Sequence, residues 1–188
     1  MAILLNIARI LETPVIWIGS RAAWLSVILM AVIVFDVTLR HWFVVGSTQL
    51  QELEWHLHGA LFLLCLGWAY IRGAHVRIEL LSDRWSARRR AWVELAGCTL
   101  FLLPYVTMLL IYGGDYVAIS FAYEEASASP TGLTNRWIIK GVMILGVALL
   151  GLAGTARFLE AIVYLTGTAE TAGKTRFAAA QRTISSRT

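Results

Sequence analysis

Four long apolar stretches alternate with short polar ones along this chain. They cover residues 22–45, with Asp36 and Arg40 as the only charges, 53–71, 95–121 with Pro104 inside, and 137–158, which is rich in small residues. The hydrocarbon core of a bilayer takes about 20 apolar residues per helix. Each stretch is near or above that length and no turn signal breaks it. The pattern predicts an all-α integral membrane protein of four transmembrane helices plus short amphipathic interfacial helices.

Two shorter patterns predict the interfacial helices. Ile3, Leu4, Ile7, Ile10 and Leu11 recur at helical spacing with Asn6, Arg9 and Glu12 between them. This reads as a surface helix ended near Pro14. Between the second and third stretches, Ile78, Leu81, Trp85 and Trp92 share one helical face, with Arg84, Arg88 and Arg89 elsewhere. Arg84, Trp85, Arg88, Arg89, Arg90 and Trp92 are therefore expected at the membrane surface, with membrane lipid as their partner. Residues 1–165 read as one four-helix domain. Residues 166–188 are mostly Thr, Ala, Ser and Arg and read as a disordered cytoplasmic tail.

Composition supports the membrane reading. Of 188 residues, 58% are hydrophobic and 15% charged, and mean hydropathy is +0.67. A soluble domain of this size exposes far more charge. The net charge of +4 would suggest nucleic acid for a soluble chain. Here the positive charge flanks apolar spans, where it meets anionic headgroups, so no nucleic-acid partner is expected. The N-terminus lacks the basic region and cleavage site of a signal peptide. Cys65 and Cys98 form no CxxC pair and read as buried thiols.

Charge asymmetry sets direction. Arg9 and Arg21 precede the first stretch, and only Arg40 lies near the first loop. Arg72, Arg77, Arg84, Arg88, Arg89 and Arg90 crowd the second loop, and Arg157, Lys174, Arg176, Arg182 and Arg187 lie at or beyond the last stretch. The basic loop and both termini are expected in the cytoplasm of a bacterial inner membrane.

Polar groups gather at the opposite, outward ends of the helices. Arg40 can pair with Asp36 at i, i+4. Glu52, Glu54, His56 and His58 open the second stretch, and Lys140 lies one turn inside the fourth. Two readings stand side by side: a network between helices or subunits, and ordinary helix-end charges. His41, His56 and His58 also admit an alternative, a four-helix haem-binding electron-transfer subunit. That reading wants histidine pairs across the bundle, and the last two stretches hold none. No Walker loop, GxSxG elbow or HExxH is present, so no enzyme is expected. Gly141, Gly146, Ala148, Gly151, Gly154 and Thr155 give the fourth helix close-packing faces, for this chain or for another subunit.

These residues resemble a known family. Gln51-Glu52-Leu53-Glu54-Trp55-His56-Leu57, followed by Ala74-His75-Val76-Arg77-Ile78-Glu79-Leu80-Leu81, is similar to the small membrane subunit of the TRAP transporters, the tripartite ATP-independent periplasmic carriers. Ile78 and Glu79 stand where that family usually has Val and Asp. The run from Asp36 to His41 resembles its Arg-Tyr element, with His for Tyr. Glu125 to Lys140, including Arg136, looks like the branch of 2-oxoacid or mannitol-type carriers. The resemblance covers roughly Trp24 to Tyr164. It implies a helper subunit, with no cofactor, that braces a large sodium-coupled transport subunit served by a periplasmic substrate-binding protein. The solute would be small and organic, such as an organic acid. It also implies structural or subunit-contact roles for Asp36, Arg40, Glu52, Glu54, His75, Arg77, Glu79, Arg136 and Lys140, and docking of the fourth helix's small faces on the large subunit.

Overall fold

In the computed structural model, residues 1–74 and 85–179 are described, and all their regular structure is helical. The helices are α1 (Ala2–Ala22), α2 (Leu25–Trp42), α3 (Thr48–Arg72), α4 (Ala87–Gly97), α5 (Leu103–Ala122), α6 (Trp137–Thr166) and the short α7 (Ala169–Ala172). His75, Arg77, Glu79, Arg84, Ile78 and Leu81 fall outside the described residues.

Three helical stretches are long and apolar enough to cross a membrane: Ala2–Trp42, Ala87–Ala122 and Trp137–Thr166. α3 contains the expected second stretch. Its first turns carry Glu52, Glu54, His56 and His58, and these lower its apolar character. Ser47 caps α3 by accepting from the Leu50 amide at 3.3 Å, and Gly73 ends it in the left-handed conformation at φ 68°.

The N-terminal helix differs from expectation in length, and one face of it packs into the bundle. It does not stop near Pro14 but runs to Ala22, and only a two-residue turn separates it from α2. Proline removes one backbone hydrogen bond, and packing of Val15 and Gly19 just beyond it offsets that loss. The buried positions are Leu5, Ala8, Glu12, Val15, Gly19 and Ala22, a stripe spaced alternately three and four apart. Ile3 and Ile10, on the apolar face expected to lie in the membrane, are 73% and 68% exposed and lie off this stripe. The reason is the solvent: in lipid the outer face is apolar, and the inner face takes small or polar side chains.

The third stretch departs from α-helical geometry at one place. α4 enters a π-helical turn over Cys98–Leu102, where the Leu103 amide donates to the Cys98 carbonyl five residues back. Pro104 follows directly and has no amide to give, so the wider turn lies where regular bonding fails.

α6 is the central helix. It packs along α3, α1, α5 and α4, while α2 lies mainly on α3. Val15, Ile71, Leu149 and Ala153 form the core where α1, α3 and α6 meet. The α3–α6 approach is reciprocal. A Cβ on Gly67 would lie 2.8 Å from the Leu149 carbonyl oxygen, and one on Gly146 would lie 2.6 Å from that of Leu63. The two helices run parallel. α5 runs antiparallel to α6, with Val106 against Gly151 and Ile144 against Gly113. Gly146, Gly151 and Gly154 are thus filled from within this chain, while Gly141 faces open space.

Candidate functional site: the two polar ends of the bundle

The bundle has a loop end, holding the turn at 43–47 and the loop at 123–136, and a tail end, where both terminal segments lie. Polar side chains collect at each.

At the loop end, Glu52 is buried and clasps the long loop. Its carboxylate accepts from the Ser127 hydroxyl and, at 2.7 Å, from the Leu133 amide. The loop is folded on itself by Ser127 N–H to Leu133 O at 2.9 Å and Arg136 N–H to Glu125 O at 3.0 Å. Gly132 is needed here, because a Cβ would meet Ser127 Cβ at 2.3 Å and Glu52 Oε1 at 2.7 Å. The Ser127 hydroxyl, then the Leu133 amide, hold the Glu52 carboxyl below its ordinary range. Glu125 is lowered likewise, first by its bond from Lys140. The Lys140 ammonium also lies 3.6 Å from the centre of the Tyr116 ring. Arg136, half-buried, stands beside both carboxylates and acts on each through its charge.

Asp36 and Arg40 pair on α2 as the spacing predicts. Asp36 is fully buried and Arg40 half-exposed, near enough to Glu54 on α3 to feel its charge. The expected outer residues therefore form two groups: Asp36, Arg40 and Glu54 between α2 and α3, and Glu52, Arg136 and Lys140 around the loop. The histidines do not converge. His56 Nδ1 is 2.5 Å from the Glu52 carbonyl oxygen, His41 meets Trp42 edge-on at 5.7 Å, and His58 lines a separate cavity of about 340 Å³. Among the described residues, no three His, Cys, Asp or Glu side chains are placed to share a metal ion.

The tail end holds a network that the sequence reading missed. Arg157 and Glu160 of α6 and Glu12 of α1 are all buried. Arg157 Nη1 donates to Glu160 Oε2 at 3.2 Å, and its Nη2 donates to the Ile71 carbonyl at 3.4 Å. Arg176 donates to the same carbonyl at 2.5 Å and to Glu12 Oε2 at 2.6 Å. The segment expected to begin a loose tail thus carries α7, a buried Thr175 and the Arg176 contacts, while residues 180–188 lie outside the described ones. The signal in sequence was the Arg157–Glu160 spacing of three at an inner helix end, where unpaired charge is costly. Trp85 and Arg90 are half-buried, and Arg88, Arg89 and Trp92 are exposed at the same end.

Long apolar helices, held by glycine contacts and closed by polar clasps at both ends, define a multi-pass membrane protein. The family model for the DctQ component of the tripartite ATP-independent periplasmic transporters matches residues 29–163. The chain belongs to this family and is the small membrane component of a TRAP transporter, a subunit and not an enzyme. The family implies a tripartite system with a large membrane subunit and a periplasmic binding protein. Neither the curated proteins nor the solved structures hold a match to the chain.

Proposed function

We propose that this subunit braces the large transport subunit of a sodium-coupled importer of a small organic solute, an organic acid by the resemblance of Glu125 to Lys140. It crosses the membrane four times, α3 included, with both termini and the Arg88–Arg90 run in the cytoplasm. Membrane lipid meets Arg84, Trp85, Arg88, Arg89, Arg90 and Trp92, and nucleic acid is no partner.

The observation that carries this reading is the α3–α6 contact. Gly67 and Gly146 bring two backbones together along the middle of the bundle, which favours a stiff scaffold over a moving element. The common end shared by Glu12 and Arg176 agrees with an even number of crossings. The clasped loop at 123–136 gives the periplasmic binding protein a formed surface, with Glu52, Arg136 and Lys140 as its supports. Asp36, Arg40 and Glu54 join α2 to α3. His75, Arg77 and Glu79 act on the cytoplasmic side.

Co-expression with the large subunit tests the reading. The two are expected to purify together, and sodium-driven uptake is expected to disappear when this chain is omitted. A chain that purifies alone, or uptake that survives its omission, overturns it.

A further inference from the structure

Gly146, Gly151 and Gly154 of α6 are taken up by contacts within the chain, whereas other helices keep broad exposed faces. Exposed apolar faces lie on several helices, α1 among them, and those of α2 and α5 differ in chemistry. The outward side of α2 is hydrocarbon: Val27, Ile33, Val34, Phe35 and Val37 are all exposed. This is a surface that lipid tails satisfy.

The outward side of α5 is not. Tyr105 and Tyr112 are 61% and 65% exposed, and neither phenol has a hydrogen-bond partner among the described residues. At 1.5 Å per residue, both lie within about 6 Å of the middle of the apolar stretch at Met108. A tyrosine in lipid belongs at the headgroup boundary, about 15 Å from the centre, where its hydroxyl meets water. A phenol held at mid-depth needs an acceptor that lipid tails lack.

The shape of this face agrees. The π-turn and Pro104 leave two grooves that share Pro104 and Met108. One of about 780 Å³ includes Glu94, Phe101 and Tyr105, and the other, of about 500 Å³, includes Tyr112. At the tail end of the larger groove stands Glu94. Its carboxylate accepts from Tyr70 at 2.6 Å and has no ion pair among the described residues. A charge in that position is complementary to a cation on an incoming helix. Helices that pass here have lysine and arginine at their cytoplasmic ends.

We infer that the α5 face around Glu94, Tyr105, Met108 and Tyr112 is the seat of a transmembrane helix of the large subunit. That helix carries acceptors at mid-depth and a cation near Glu94, while the α2 face meets lipid. The inference rests on the subunit reading above.

Photo-crosslinking of the co-expressed complex in native membranes tests it. The photoreactive residue p-benzoylphenylalanine is placed singly at Tyr105, Tyr112 or, on α2, Phe35. The expected result is a crosslink to the large subunit from Tyr105 and Tyr112 and none from Phe35. Glu94→Gln keeps an acceptor for Tyr70 but removes the charge, and is expected to lower the retained large subunit about tenfold on solubilisation. Crosslinking from Phe35 alone overturns the inference. So does labelling of lipid only, or of a second copy of this chain, at Tyr105 and Tyr112 while the subunits still purify together. In these cases the subunit reading stands. Failure of the unaltered chain to retain the large subunit overturns both.

Discussion

Glu52 shows how one side chain shapes a loop. It reaches from the first turn of α3 to two donors on a segment about 80 residues away in sequence. Glu52→Ala leaves the Leu133 amide without its acceptor. The expected outcome is faster hydrogen exchange across 123–136 and a lower melting temperature of the solubilised protein. Acid should do the same reversibly. The folded pKa values of Glu52 and Glu125 lie below the ordinary 4.5. Their contribution is therefore complete above that value and is lost as pH falls through the lowered ones. Exchange at the Leu133 amide should be flat between pH 5 and 7, after correction for intrinsic rates, and rise only in stronger acid. The tail end offers a contrast between two arginine or lysine pairs. Arg157→Met leaves buried Glu160 with only its 3.9 Å pair to Arg176 and frees one bond to Ile71, a loss of about 3 kcal/mol. Lys174→Ala breaks an exposed pair with Glu170 and should leave the melting temperature unchanged. Thermal unfolding in one detergent reads both.

Helices in this chain meet through what is missing from them. Gly67 and Gly146 admit the carbonyls of Leu149 and Leu63, so neither position has room for a methyl group. Gly67→Ala and Gly146→Ala are each expected to cost about 1–3 kcal/mol through forced separation of α3 and α6. Gly141 and Gly114 face open space. Alanine there should be neutral or stabilise by up to about 1 kcal/mol, since it favours the helix without a clash. A fourth-helix glycine that behaves like Gly141 when placed at Gly146 would contradict the reciprocal contact. The period of apolar residues made the helices legible in sequence, closely for α2 and α3, while α6 runs on from the expected end at 158 to Thr166. It showed the apolar face of α1 but not the stripe that packs inside the bundle, because hydrophobicity does not separate lipid from protein interior. It also ended α1 at Pro14, because the packing that outweighs a lost hydrogen bond comes from residues far away in sequence.

At the scale of the whole molecule, the outside is as apolar as the inside, and polarity marks the two ends. The orientation proposed for those ends is open to direct measurement. Single cysteines at Arg89 and Ser129, in a chain whose own cysteines are replaced by serine, should label from opposite sides of the membrane. Arg89 is expected to react only with a reagent that crosses, and Ser129 with one that does not. The reverse pattern would invert the proposed topology. Much of the loop-end site was visible beforehand, since the Asp36–Arg40 pair, Glu52, Glu54, Arg136 and Lys140 all stand at helix ends in sequence. Their division into two groups was not, because it depends on which helices are neighbours. The tail-end network was missed altogether: Glu12, Glu160 and Arg176 are scattered across the chain and meet only when its termini fold back together.

The sequence by itself determined the apolar helical stretches, the charge asymmetry between loops and the family. These follow from local composition and short motifs, which need no knowledge of what packs where. Only the tertiary structure decided that α6 is central, that Gly146, Gly151 and Gly154 are filled by neighbouring stretches of this chain, and that α1 belongs to the bundle. The physical reason is that helix association in lipid depends on fit and on hydrogen bonds between particular partners. Those partners are fixed by the whole arrangement, and no single stretch of sequence names them.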